Sequence, residues 1–241
     1  MAGSEDVPTP PWRKSRKPTP LKRQLNQDLI VDAGLRIVDT EGLDALSMRR
    51  VAQEFDTGPA SLYAHVANKE ELLELIYERV LGEIELPERD PSRWKDQLRA
   101  YAMEVHRVLT AHADVARVAL ASVPSGENSI LAGEFVFGLL IEAGMSPREA
   151  SLSMDRIHLY VTGDAYEGSL HYARMRAAGL DDPREYFERF AGQLADYYRA
   201  LPTERFPHIQ KFVDDLIADD GEERFRYGLE LLLAGIEARM P

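Results

Sequence analysis

From residue 25 almost to the end of the chain, apolar side chains recur at the three-and-four spacing of an α-helix, and no stretch sustains the period-two alternation of a strand. Ile30, Ala33, Gly34, Ile37 and Val38 lie on one such stripe, and Gly42 stands where that helix should end. Phe225, Leu229, Leu232, Leu233 and Ile236 form another near the C-terminus. Helix starts carry their own chemistry. Ser146-Pro147-Arg148-Glu149 and Asp182-Pro183-Arg184-Glu185 each put a side-chain acceptor ahead of a proline, whose missing N–H costs nothing in a first turn. Asp90-Pro91 opens a further helix holding Trp94, Leu98, Tyr101 and Val105. The pattern predicts an all-α chain of about nine or ten helices, with no internal repeat.

Charge is unevenly spread. The 241 residues hold 29 Lys+Arg against 41 Asp+Glu, a net −12. Residues 1–24 run the other way: Arg13, Lys14, Arg16, Lys17, Lys22 and Arg23 face only Glu5 and Asp6. Five prolines in that stretch exclude a helix, and few apolar groups are available to pack. Two readings stand for it: a solvated tail, or a flexible basic arm whose Arg13 and Arg16 enter the narrow minor groove of DNA. With no cysteine, the chain lacks disulfides, thiolate metal sites and cysteine nucleophiles. No run of eighteen apolar residues and no signal-peptide core are present, so the expectation is a cytoplasmic protein without a membrane partner.

The motif with functional content lies between residues 43 and 73. Ser47 offers an N-cap for a short helix through about Phe55, with Val51 and Ala52 inward. Asp56-Thr57-Gly58 reads as a tight turn, and Pro59 suits the first position of another short helix, Ala60 to Val66. Asn68 and Glu71 have the spacing of a capping box that starts a longer helix. Two short helices joined by a glycine-containing turn and braced by a preceding helix make a helix–turn–helix. Pro59, Ala60 and Ser61 are small enough to approach base edges, while Leu62 and Val66 point back to hold the unit together. Tyr63, His65, Lys69 and Arg49 can reach phosphates, which set register and salt dependence. A helical hairpin of this kind also occurs in proteins that never touch DNA.

The residues themselves carry a resemblance. Residues 25–73, with Leu46-Ser47-Met48-Arg49, Val51-Ala52, Ser61-Leu62-Tyr63-Ala64-His65-Val66 and Asn68-Lys69, resemble the N-terminal DNA-binding domain of the tetracycline-repressor (TetR) family. Residues 225–240 resemble the C-terminal helix of the tetracycline-repressor subgroup. The resemblance implies a homodimeric transcriptional repressor, released by a small-molecule inducer from a palindromic operator in double-stranded DNA. It puts Met48, Arg49, Pro59, Ala60, Ser61, Tyr63, His65 and Lys69 against DNA, and residues 146–178 and 221–240 in a four-helix dimer interface. The expected organisation is a basic arm (1–24), a DNA-binding domain (25–70) and a helical ligand-binding and dimerisation domain (71–241).

For the inducer, the candidate side chains are Tyr101, Val105, His106, Phe135, Met154, His158, Tyr166 and Glu167: aromatic and apolar groups with a few polar ones, as a pocket between helices requires. The resemblance places Tyr101, Val105, Phe135 and His158 where the tetracycline repressor meets its drug. Each is also an ordinary core residue. A hydrophobic or aromatic ligand is expected, with no cofactor and no metal. The positions matching the family's metal-binding histidines hold Glu85 and Ala119, so magnesium-tetracycline is not the expected inducer. An activator of the same fold is an alternative. An enzyme is a more distant one: no zincin motif, phosphate loop, nucleophile elbow or dinucleotide glycine pattern is present.

Overall fold

The computed structural model describes residues 25–112, 114–121, 123–218 and 221–240. Arg13 and Arg16 lie outside the described residues. The chain is all-α, as expected. The N-terminal helices are α1 (Gln27–Glu41), α2 (Met48–Gln53) and α3 (Lys69–Leu81), with a single 3₁₀ turn at Pro59–Ser61 between the last two. There follow α4 (Trp94–Ala111), α5 (Val115–Ala121), α6 (Glu127–Glu142), α7 (Pro147–Ala177), α8 (Pro183–Arg199), α9 (Pro207–Lys211), α10 (Val213–Ile217) and α11 (Gly221–Glu237). The described residues thus form eleven α-helices, slightly more than expected. The excess is α9 and α10, whose five residues each are too few to show a periodic stripe.

Helix starts follow the capping chemistry. Asn26 Oδ1 accepts the Leu29 N–H at 2.9 Å, Ser47 Oγ that of Arg50 at 3.1 Å, and Asp182 Oδ1 that of Arg184 at 2.9 Å. At α3 the box closes from both sides: Asn68 Oδ1 accepts the Glu71 N–H at 2.8 Å, and the Glu71 carboxylate accepts the Ala67 N–H.

The first three helices share a core of Ile30, Ile37, Val51, Leu62, Val66, Leu72 and Ile76, all at or below 2% exposure. Each such side chain contributes about 1.5–3 kcal/mol on burial. Gly34 lets α1 and α3 approach, since a Cβ there would stand 2.8 Å from Ile76 Cδ1. In the larger domain the 31-residue α7 is the spine, with α4, α5, α6 and α11 packed along it. Leu98, Leu109, Leu139, Leu140 and Phe225 fill that interior. Helices α8 to α10 form a side lobe, joined to α7 where His171 meets Tyr186, Phe187 and Phe190. Polar contacts tie the two parts together: His112 lies between Asp39 (3.2 Å) and Glu83 (3.0 Å), and Asp114 accepts the Leu43 N–H at 3.1 Å.

Candidate nucleic-acid interface and ligand-binding core

The turn after α2 takes its left-handed residue from Asp56 (φ 50°), one of the few non-glycine types that tolerate that region. Gly58, the glycine of that turn, is extended at φ −85°. After Pro59 the expected helix does not run as a regular α-helix. Ser61 and Leu62 donate back to Gly58 and Pro59 at 3.1 and 3.0 Å, and His65 and Val66 both donate to the Leu62 carbonyl at 2.9 Å. Tertiary anchors, rather than a continuous i to i−4 ladder, shape the segment between Gly58 and Ala67. Those anchors are Leu62 and Val66, both buried, together with Gln27 Nε2 donating to the His65 carbonyl at 3.2 Å.

This anchoring leaves Ala60, Ser61 and Tyr63 exposed on the outer face, with Pro59, His65 and Lys69 half-buried beside them. Ser61 Oγ lies 2.9 Å from Thr57 Oγ1, which holds its hydroxyl at the edge of the turn. On α2, Arg49 is exposed, whereas Met48 is buried and packs inward. The adjacent Arg50, which sequence reasoning does not single out, is committed elsewhere. It bridges Glu41 at 2.5 Å and Glu54 at 2.6 Å, and the hydrogen-bonded arginine holds the Glu41 carboxyl below its ordinary range. The Glu41 partner sits at the end of the preceding helix, so one side chain fixes α2 against α1 while the next faces outward. The arrangement presents a small, mixed apolar and cationic ridge in front of a rigid core.

The eight candidate ligand residues divide into two groups. Tyr101 and Phe135 meet with ring centroids 5.7 Å apart, and Val105 is buried one turn along the same α4 face. Tyr77 of α3 adjoins this cluster; burial, reinforced by Glu78, pushes its phenol up to about 12, and burial raises Tyr101 as well. His158 and Met154 are half-buried on α7. Burial holds the His158 imidazole below its ordinary value, opposed by a hydrogen bond to the Ala119 carbonyl. Tyr166 is half-buried, its carbonyl accepting from Ser169 Oγ at 2.8 Å.

His106 and Glu167 face a different seam, between α7 and α11. His106 Nε2 is 2.8 Å from Asp164 Oδ2, and its ring stacks on Phe225 at 3.8 Å. Tyr160 stacks on the same Phe225 at 5.4 Å and donates to its carbonyl at 2.8 Å. Glu167 pairs with Arg224 at 2.7 Å.

Two cavities lie at the junction of the domains. One of about 190 Å³ is bounded by Asp39, Thr110, Asp114, Ser169 and Tyr172 among others. A more open one of about 620 Å³ lies between Leu43, Lys69, Leu73 and Val118. Neither is lined by any of the eight candidates. No group of three or more His, Cys, Asp or Glu among the described residues could hold a metal ion. No described helix is long and apolar enough to cross a membrane.

Comparison with known proteins agrees with this architecture. Residues 30–76 match the family of bacterial regulatory proteins of the tetR type, and residues 86–240 match the tetracyclin repressor-like C-terminal domain. An HTH-type transcriptional regulator of Saccharopolyspora erythraea is 29% identical, over 98% of this chain and 94% of its own length. The HTH-type transcriptional repressor DrrR1 of Streptomyces coeruleorubidus is 32% identical, over 93% of this chain and 81% of its own. The TetR family protein ActR of Streptomyces coelicolor, in its crystal structure with actinorhodin, is 40% identical with a TM-score of 0.78, covering 90% of this chain and 97% of ActR. ActR has also been crystallised with (S)-DNPA. The chain belongs to the TetR family: it is a DNA-binding transcriptional regulator, not an enzyme, with a tetracycline-repressor-like C-terminal domain.

Proposed function

We propose that this regulator is a cytoplasmic homodimeric repressor, released from a palindromic operator by a hydrophobic or aromatic small molecule. The observation that carries the reading is the ridge of Arg49, Ala60, Ser61 and Tyr63, exposed in front of the buried Leu62 and Val66. Ala60 and Ser61 are its base-reading positions, while Arg49, Tyr63, His65 and Lys69 serve phosphates. A dimer suits this ridge because two recognition segments must stand about 34–36 Å apart to enter successive major grooves. Exposed apolar residues on α7 and α11, Leu152, Leu159, Tyr227 and Leu231, support a helix-to-helix dimer interface there.

The inducer is assigned to the interior between α4, α6 and α7, with Tyr101, Val105, Phe135 and His158 as its walls. The complexes of ActR with actinorhodin and (S)-DNPA support a ligand of that chemistry. Tyr101 on α4 and Phe135 on α6 meet at 5.7 Å, so a ligand wedged between them would shift α6 relative to α4.

Selection of bound DNA from a random pool, followed by titration of the winning sequence at several salt concentrations, tests the DNA side. A palindromic site bound by two chains supports the reading, and no enriched site at any salt overturns it. Displacement from that site by actinorhodin or (S)-DNPA then tests the ligand side.

A further inference from the structure

The first turn of α6 has no cap of its own, because Gly126 precedes it and offers no side-chain acceptor. Glu78, in the last turn of α3, supplies one. Its carboxylate accepts the N–H of Asn128 at 2.9 Å and that of Ser129 at 3.2 Å. Asn128 returns the contact: its Nδ2 donates at 2.8 Å to the main-chain carbonyl of Glu78, which also accepts the Gly82 N–H at 3.0 Å. Each helix end is thus capped by a side chain of the other, and a carboxylate meets the positive end of the α6 dipole. Two glycines make room. A Cβ at Gly126 would run into the Glu78 carboxyl carbon, and one at Gly82 would stand 2.9 Å from Asn128 Nδ2.

The placement of the two helices gives this contact meaning. Helix α3 begins at Lys69, beside the recognition segment, and runs about 14 Å from there to Glu78 in the clasp. Helix α6 carries Phe135 against Tyr101 less than two turns beyond Ser129. Other polar contacts across the junction, from His112, Asp114 and Arg117, reach α1, the loop after α3, the main chain of Leu43 and the side chain of Asp44, and leave α6 out.

We propose that the reciprocal Glu78–Asn128 clasp is the joint through which movement of α6 in the sensor domain is passed to the DNA-binding unit, with both side chains acting as positioning residues. The role rests on the ligand-release reading; the mechanical link does not. A two-way link has a consequence independent of the inducer: DNA binding must be felt at the first turn of α6.

Hydrogen exchange on the full-length protein, free and bound to its selected DNA site, tests this. DNA should change the exchange rate of the amides at 128–130 by about fivefold or more in the wild type. The change should vanish in Glu78→Ala and in Gly126→Ala, which expels the carboxylate without touching it. Glu74→Ala, on the exposed side of α3, should behave as wild type. Glu78→Gln keeps an acceptor of the same length; it should fold even where the alanine variant does not, and show a weakened response. No DNA effect in the wild type, or the same effect in the clasp variants, overturns the proposal. In parallel, actinorhodin-driven release that is lost in the clasp variants supports it, and release equal to wild type overturns it. Absence of release from the wild type counts against the ligand-release reading alone, because the exchange experiment needs only DNA.

Discussion

Leu62 is fully buried and Tyr63, the next residue, is 52% exposed, so a single peptide unit separates the core of the DNA-binding unit from the surface proposed to meet a duplex. Substitutions at the two positions should therefore fail in different ways. Leu62→Ala should unfold the unit, costing about 2–5 kcal/mol in a thermal or denaturant melt. Tyr63→Ala and Lys69→Ala should leave the melt nearly unchanged and weaken binding to all DNA sequences alike, with the Lys69 change lowering the salt slope by about one. Changes at Ala60 or Ser61 should alter base preference by about 1–3 kcal/mol at the contacted position. Competition titrations against single-base variants of the site distinguish these classes, and a uniform loss for both would mean that the segment sits differently in the groove.

Much of this unit is legible locally. The Asn68–Glu71 cap, the stripe of α1 and the inward Leu62 and Val66 each depend on residues three or four apart. What escapes a local reading depends on partners brought from a distance. Arg50 looks as available as Arg49 until Glu41, nine residues earlier, folds back onto it. Glu78 looks like a surface carboxylate, yet its partner lies 50 residues on. Gly58 is the obvious turn residue by type, but the left-handed position falls on Asp56, which residue preference ranks second. His106 fits a pocket by its neighbours on α4; only α7 and α11 show that Asp164 and Phe225 occupy it.

The division of the ligand candidates can be tested directly. On the proposed reading, Tyr101→Ala and Phe135→Ala should weaken binding of an aromatic ligand, with actinorhodin or (S)-DNPA as the probe. His106→Ala should leave that affinity within about twofold and instead destabilise the fold by about 1–3 kcal/mol, because the half-buried Asp164 loses its nearer partner and keeps only Arg224 at 3.5 Å. Calorimetric titration beside thermal melts separates the two effects. Equal loss of ligand affinity at Tyr101 and His106 would return His106 to the ligand site.

Burial also gives the sensor domain a pH dependence. His158 is held below 6.5 chiefly by desolvation, and His171 is depressed in the same sense by burial and by Arg174. As pH falls through 6.5 the unfolded chain takes up these protons first, so their contribution to stability is full above that value and is lost on acidification. The melting temperature of the wild type should therefore drop more than that of His158→Gln between about pH 7.5 and 5.5. Parallel melting curves with the same pH slope would show that His158 is not desolvated as described.

The basic arm at residues 1–24 is proposed to follow the minor groove through Arg13 and Arg16. Deleting residues 2–24 should then reduce the slope of log affinity against log salt by about two, close to one for each phosphate that the arm no longer neutralises. Unchanged affinity with an unchanged slope would leave the arm as a solvated tail.

The last expectation concerns the ligand after which the family is named. Metal-bridged binding needs imidazole or carboxylate donors converging on an ion. The resemblance sets the family's metal-binding histidines against Glu85, which is exposed, and Ala119, which is buried and has no side-chain donor. Among the described residues no group of three or more His, Cys, Asp or Glu could hold a metal ion. Adding magnesium should therefore give tetracycline no advantage. Binding measured by tetracycline fluorescence should be micromolar or weaker with or without the ion, and a chelator should leave displacement of the DNA by actinorhodin unchanged. Tight, magnesium-dependent tetracycline binding would require donors that the packing around Ala119 does not provide, and would show that this interior rearranges on ligand entry far more than a shift of α6.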